Sequence, residues 1–513
     1  MQRKGVYTFK ELIMTKTTLA YGQPSNEMDH QKRLDWPLFA LLFISILIHL
    51  PTLNMPLISI DAWRQTDEES IVYHFVHNSM NILHPAVFYD GLGPQRVQLE
   101  LQIIPWLTAC LVHVLGWHIW LLHLIPDACF SCNVWLCYRV ARAFSAPVGI
   151  ARTAAAMYLL TPYDIYYGQA LMPEVVMTTG MLLSVWSTVC YAKKPTWERS
   201  IVTGLAICLM LLAKLPSATV LPALAVVVIG EQGFSILARA RTWVPVFVAI
   251  AITWFYTAYE GKQAAHAFIT GDTHAYLLQH LGDVFHPQTY LQAGWFGATT
   301  AVGLAVAPAA LYGCFCACPN ALAPFRQAFA AWLSGAFLFT AWVATHNALH
   351  YYYIVLTVPA AMLASLGVWQ LWRSHRLPLR TMAAAIVCGA VTISVVATPT
   401  YYQPAEAPAY RLGRQLQAEL PANEGIALVA SSPILFDYAK RGGWRWYGGD
   451  KTAAYAQWLQ QKWKVGAGVA VIEDPRAYPD LSEWLKKQYG TQVRDGHLLA
   501  WLPPRGMTKD GRA

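Results

Sequence analysis

Four carboxylates and one guanidinium fall between Asp61 and Glu69, in the run Ser59-Ile60-Asp61-Ala62-Trp63-Arg64-Gln65-Thr66-Asp67-Glu68-Glu69-Ser70 of a chain that is only 13% charged. The run follows directly on an apolar block, and acids so close to a bilayer are costly to desolvate, which points to chemistry as the reason for keeping them. An acid beside a cation is equipment for general-base catalysis. The carboxylate accepts a proton from an attacking hydroxyl, and the cation steadies charge on whatever leaves. Asp67 is the candidate base, with Glu68 and Asp61 as accompanying catalytic carboxylates and Arg64 as the adjacent cation. A paired-carboxylate metal site from Asp61 and Asp67 stands as an alternative use of the same residues. Glu69 reads as solvent-facing.

Similar groups recur at the ends of later apolar blocks. Glu100 precedes the apolar stretch Leu101–Trp117. Asp164, Gln169 and Glu174 flank one turn, Lys214 occupies another, and His346, His350 and Tyr351 to Tyr353 a third. Each has a plainer reading. The tyrosines suit an interfacial belt, Lys214 can snorkel to lipid headgroups, and Asp164 and Glu174 can pair with cations on neighbouring helices.

The elements that must position these residues are set by composition. Of 513 residues 56% are hydrophobic and 21 are Trp, mean hydropathy is +0.33, and the apolar residues come in blocks. A polytopic α-helical membrane protein is expected, with about eleven spans of roughly 20 residues each. They run near 37–54, 118–138, 147–167, 170–191, 199–214, 215–230, 243–259, 294–316, 326–345, 351–372 and 381–399. Basic residues gather in the 1–36 tail and at Arg139/Arg142, Lys193/Lys194/Arg199, Arg239/Arg241, Arg326 and Arg373/Arg376/Arg380, which marks the cytoplasmic side. The N-terminus is therefore inside, the C-terminus outside, and the acidic run lies in a first outer loop, 55–117. In that loop Leu101–Trp117 reads as a juxtamembrane helix broken near Pro105, because letting it cross would invert every later loop. Domain boundaries follow as a 1–36 cytoplasmic tail acting with an uncleaved first span, a 37–400 transmembrane unit, and a 401–513 extracytoplasmic α/β domain. In the last, 406–420 and 452–463 read as amphipathic helices and Ile426–Ala430, Val469–Ile472 and Leu498–Leu502 as strands.

The net charge of +8 is distributed as loop patches and does not imply nucleic acid. The 10 Cys are mostly small hydrophobes inside apolar blocks, and Cys314, Cys316 and Cys318 lack the further ligands of a metal site.

The chain resembles the C-type polytopic glycosyltransferases, and within them the bacterial family 39 enzymes (dolichyl-phosphate-mannose–protein mannosyltransferase-like, aminoarabinose-transferase-like). Asp67-Glu68 followed by Ile71, Val72 and Phe75 matches that group's acidic first-loop motif. Trp63-Arg64-Gln65-Thr66-Asp67 reproduces a Trp-Arg-Gln-x-Asp core of one branch, in which His usually stands where Asp61 does. The 163–174 turn and the His346–Tyr352 turn are similar to family positions more weakly. The resemblance covers residues 37–400 and implies a multi-pass enzyme of the bacterial inner (cytoplasmic) membrane with its site facing the periplasm or outside. It implies inverting transfer of a sugar from a polyprenyl-phosphate carrier to a lipid, glycan or protein acceptor. Lys214, Arg64, His346 and His350 would then bind the donor phosphate, and Glu174, Asp164, Gln169 and Tyr351 the sugar or acceptor. No cofactor is required, and a divalent metal is an alternative only. The competing classes are an O-antigen-type ligase or polymerase, for which His266, His274, His280 and His286 in the 260–293 loop would speak, and a transporter of lipid-linked sugars, for which inverted repeats would speak.

Overall fold

The computed structural model describes residues 35–344 and 350–504. Its helices begin with α1 (Trp36–Leu47), the polar α2 (Ala62–His77), α3 (Ile103–Leu115), α4 (Ile119–Ala143), α5 (Val148–Leu159), α6 (Pro162–Gln169), α7 (Glu174–Lys193), α8 (Trp197–Ala213), α9 (Leu221–Gln232) and α10 (Ala240–Gln263). Further apolar helices cover Val306–Phe315, Ala323–Phe339, Thr357–Arg373 and Leu377–Tyr401. Among the described residues, six helices are long and apolar enough to cross a membrane. A seventh crossing would join Pro287–Ala301 to Val306–Phe315 through a 119° bend.

Local chemistry sets the breaks. The expected span 147–167 divides because Thr161, preceding Pro162, is pushed to an extended conformation (ψ 115°) that helix cannot continue through. The juxtamembrane helix expected at Leu101–Trp117 is present as α3, but Pro105 does not break it. Pro105 falls in the first turn, where its missing N–H has no intrahelical acceptor to serve.

Burial sorts the apolar helices into centre and periphery. The most apolar window of His350–Arg373 is 89% buried, while those of Ala240–Gln263 and Leu377–Tyr401 are 17% buried. The peripheral helices turn Phe247, Trp254, Phe255, Val395 and Val396 outward, an apolar surface that suits lipid rather than water. At the centre, Val306–Phe315 meets Thr357–Arg373 so closely that a Cβ on Gly313 would sit 2.0 Å from the Leu363 carbonyl oxygen. Small residues permit such close helix approach where no water drives helices together.

Above the bundle lie α2, α3 and a small sheet of β1 (Ala86–Val87), β2 (Gln95–Gln98) and β3 (His266–Ala267), with β1 antiparallel and β3 parallel to β2. The C-terminal residues build a mixed five-stranded sheet from β4 (Gly425–Val429), β5 (Gly443–Arg445), β6 (Ala467–Ile472), β7 (Thr491–Arg494) and β8 (His497–Trp501), in the order β5-β4-β6-β8-β7. Its strands alternate between two apolar faces. Ala427, Val429, Ala470, Ile472, Leu498 and Ala500 pack with Tyr455, Leu459, Leu481 and Leu485 of two helices. The intervening Ile426, Leu428, Val469, Val471 and Leu499 belong with Leu412, Leu416 and Phe436 to the core continuous with the bundle. The sheet is docked on the segment between α1 and α4: Gly443 N–H donates to the Phe88 carbonyl at 3.2 Å, Gly91 N–H donates to the Gly443 carbonyl at 3.0 Å, and the Tyr438 hydroxyl donates to the Leu57 carbonyl at 2.6 Å.

Candidate active site

The helix that carries the acidic run is polar yet buried. Gln65, Thr66, Asp67, Glu68 and Ser70 of α2 all lie inside the protein, so each needs a partner. Helical spacing divides them into faces. Arg64 and Glu68, four residues apart, form an ion pair at 2.7 Å, and the same Arg64 Nη2 reaches Glu100 Oε2 at 2.8 Å. Glu100 extends the chain of charges to Lys214 Nζ at 3.8 Å, and Lys214 is bonded to Glu174. The Tyr351 ring lies beneath the Lys214 ammonium, 4.2 Å from its centroid, with Tyr352 at 5.4 Å. Thus the ends of α7 and α8, the start of α3, the His350–Leu356 turn and α2 meet in one polar wall. Burial works against the charge of Arg64, but Glu68 and Glu100 outweigh it and hold the guanidinium well above its ordinary value. Burial also pushes Glu100 up, yet Arg64 and Lys214 overcome it and Glu100 titrates below the usual carboxylate range.

Asp67 stands apart from this exchange. It forms no ion pair among the described residues, whereas Glu68 is held by Arg64, and Glu69 by Lys440 at 2.9 Å. Burial pushes the Asp67 carboxyl up to about 7, with Arg64, then Arg445, pulling it back; Glu68 is pushed up to about 8 for the same reason. Tyr89 and Trp63 complete the surround of Asp67. Asp61 opens α2 in a left-handed conformation (φ 54°), which Asp tolerates better than most residues, and accepts a 2.6 Å bond from the Tyr167 hydroxyl. Its titratable neighbours include Glu174, His350 and Lys214 rather than those of Asp67. The two aspartates therefore have different electrostatic surroundings. No group of three or more His, Cys, Asp or Glu that could hold a metal occurs among the described residues.

Residues 102–257 match the family profile described as dolichyl-phosphate-mannose-protein mannosyltransferase. No curated protein matches the chain by sequence. In three dimensions the chain is similar to ArnT from Cupriavidus metallidurans bound to undecaprenyl phosphate. The identity is 12% and the TM-score 0.64, over 90% of this chain and 97% of that one. It is also similar to the archaeal oligosaccharyltransferase AglB from Archaeoglobus fulgidus in complex with an inhibitory peptide and a dolichol-phosphate (identity 11%, TM-score 0.55, 89% of this chain and 72% of that one). The arabinofuranosyltransferase AftD from Mycobacteria gives 14% identity and TM-score 0.52, over 85% of this chain and 35% of that larger one. This is the C-type glycosyltransferase fold. The resemblance read from the first-loop motif is thereby borne out for the architecture.

Within the C-type fold, the sequence-derived candidates separate. Asp61, Arg64, Asp67, Glu68, Glu174, Lys214 and Tyr351 are brought together, with Glu100 as a member that the sequence showed but gave no role. Asp164 does not join them. It is buried in α6 and accepts from the Thr357 hydroxyl at 2.8 Å. Gln169 is likewise a structural tie, accepting from Thr52 at 2.5 Å and donating to the His49 carbonyl at 3.0 Å. The His350 ring is stacked on Phe296 at 5.2 Å, and its carbonyl accepts from Tyr163. His346 lies outside the described residues. Glu69 is not solvent-facing: with Asp437 it clasps Lys440 at 2.9 Å, and Ser70 donates to the same Asp437 at 3.0 Å. Arg445, on the C-terminal sheet, was missed. The run Trp444-Arg445-Trp446-Tyr447 was its signal, an aromatic-basic cluster in a segment otherwise read for secondary structure alone.

Proposed function

We propose that the chain is an inverting glycosyltransferase that takes a sugar from a polyprenyl-phosphate carrier and passes it to a hydroxyl acceptor at the outer face of a bacterial cytoplasmic membrane. The observation that carries the reading is the unspent carboxylate. Of the acids on α2, Glu68 and Glu69 are locked in ion pairs, while Asp67 is buried, flanked by cations, and free of one. A base of pKa near the working pH is the kind that transfers protons most effectively. In the proposed reaction the acceptor hydroxyl oxygen bonds to the anomeric carbon as its proton passes to Asp67. The bond from that carbon to the phosphate oxygen breaks, and its electron pair leaves with the phosphate.

Arg64 is the favoured phosphate ligand, since its buried Nη1 has no hydrogen-bond partner among the described residues. Lys214 is neutralised by Glu174 and acts on the phosphate through the Glu100–Arg64 chain. Glu174 and Asp61 border the same wall and are the candidates for sugar hydroxyls. Undecaprenyl phosphate and dolichol-phosphate in the ArnT and AglB structures support a lipid-phosphate donor. The loop-charge pattern supports the arrangement of about eleven spans with this wall outside. The ligase alternative loses support because two of its four loop histidines have local partners: His266 pairs with Asp90 and His280 with Asp283.

The test is Asp67→Asn in the full-length protein, with envelope glycans and lipids compared by mass spectrometry between cells carrying wild type, the variant and no gene. A product that the wild type makes and the well-expressed variant does not supports the base; an undiminished product removes Asp67 from that role.

A further inference from the structure

The base has two cationic neighbours, and they come from distant parts of the chain. Arg64 belongs to α2 and is bound up with Glu68 and Glu100. Arg445 belongs to β5, at the other end of the chain, and among the described residues it forms no ion pair. Its guanidinium lies 5.2 Å from the centroid of the Trp63 ring and 4.4 Å from that of Tyr447, and its Nη1 donates to the Ser431 carbonyl at 2.9 Å. The buried Nε has no hydrogen-bond partner among the described residues. Trp63 stands four residues before Asp67, on the same face of α2, so the stack places the Arg445 charge over the base.

The placement is not accidental to a loose surface strand. Two residues before Arg445, Gly443 exchanges backbone hydrogen bonds with Phe88 and Gly91, on either side of the Tyr89 that borders Asp67. Gly442 makes that joint possible, since a Cβ there would lie 2.3 Å from the Gly91 carbonyl oxygen and 2.8 Å from Leu92 Cα. The docked sheet thus fixes Arg445 at both its backbone and its planar head.

We propose that Arg445 is a positioning residue for Asp67: held on Trp63 by the docked C-terminal sheet, it keeps the base ionised and makes the sheet a working part of the site. This rests on the reading of Asp67 as the base. The charged and titratable groups facing Asp67 are Arg64 and Glu68 from α2, Tyr89 from the first outer loop and Arg445 from β5. Glu100 acts on the first two of these, and Glu473 and His266 also interact electrostatically with Arg445. Arg64 divides its field among three acids, two of which it contacts directly, whereas among the described residues Arg445 forms no ion pair that would hold its charge away from Asp67.

The test titrates Asp67 directly in the full-length protein in detergent, without substrate. Dicyclohexylcarbodiimide adds to protonated carboxyls, and mass spectrometry localises and quantifies the adduct on Asp67 across a pH series. Removing the charge in Arg445→Gln raises the midpoint of labelling by about 1 in pH, while Arg445→Lys, which keeps the charge, tracks wild type. A midpoint unmoved in Arg445→Gln, or moved equally by Arg445→Lys, overturns the proposal. Should Arg445→Gln not remain monodisperse, Arg445→Met keeps an apolar stem on the Trp63 ring and is read the same way. The Asp67→Asn glycan comparison separately decides the base role, so a failure of Arg445 and a failure of the base are distinguishable.

Discussion

Arg64 and Glu100 are joined at 2.8 Å across the gap between α2 and the start of α3, and through that contact the acidic run is wired to the ends of α7 and α8. The guanidinium serves three carboxylates at once, two of them by direct contact. Removing it in Arg64→Ala leaves Glu68 and Glu100 buried, with Lys214 as the nearest remaining cation. A loss of about 3–5 kcal/mol is expected from uncompensated buried charge. Thermal unfolding in detergent measures it, and Arg64→Ala combined with Glu68→Gln should recover part of the loss. Sugar transfer stays abolished in both.

Lys214 follows the same logic with a different outcome for function. It is buried and bonded to Glu174, so Lys214→Ala lowers the thermal midpoint by stranding that carboxylate. Lys214→Ala with Glu174→Gln restores stability. The double variant should still bind undecaprenyl phosphate more weakly than wild type, measured by microscale thermophoresis. Equal binding would leave Lys214 and Glu174 as a structural pair only.

The titration of α2 gives a pH signature. With Asp67 at about 7, sugar transfer rises through neutrality on the acid side of its profile rather than near the ordinary carboxylate value. Stability runs the other way. A carboxyl whose folded pKa exceeds its unfolded one binds its proton more tightly when folded, so its contribution is favourable at low pH and is lost as pH rises from about 4 toward 7 or 8. Thermal midpoints between pH 5 and 8 should therefore fall while activity climbs. Asp67→Asn with Glu68→Gln should flatten the stability curve.

How much of this was legible in the sequence follows from the range over which each feature is encoded. Most of the apolar blocks and the strands at 425–429, 467–472 and 497–501 depend on local composition, and they stand within a few residues of where the pattern places them, although the block at 147–167 divides before Pro162. The cluster of Asp61, Arg64, Glu68, Glu174 and Lys214 was legible because outer turns of a helical bundle must converge. Partner choice was not. Nothing local shows that Glu69 meets Lys440, that Asp164 turns inward to Thr357, or that Arg445 returns to Trp63, since each contact joins segments far apart in the chain. Pro105 misled for a simpler reason: a proline breaks a helix interior but not a first turn, and the pattern did not fix where α3 starts.

The joint between α2 and the C-terminal sheet supplies the last prediction. Lys440 lies buried between Glu69 and Asp437, at 2.9 Å from each, and 5.5 Å from the centroid of the Trp117 ring. Burial raises Asp437 well above the usual carboxylate range; Glu69 beside it adds to the rise, and Lys440 opposes it. Lys440→Met removes the only cation in contact with these two acids among the described residues, so they repel across the interface, and loosening of the joint by about 3–5 kcal/mol is expected. Because the sheet and α2 share this contact, hydrogen exchange should speed up in both 62–77 and 434–445, while the central helix 357–373 stays protected. Adding Glu69→Gln and Asp437→Asn to Lys440→Met removes the repulsion and should return exchange toward wild type. Faster exchange confined to 434–445 would show that the sheet moves without the catalytic helix.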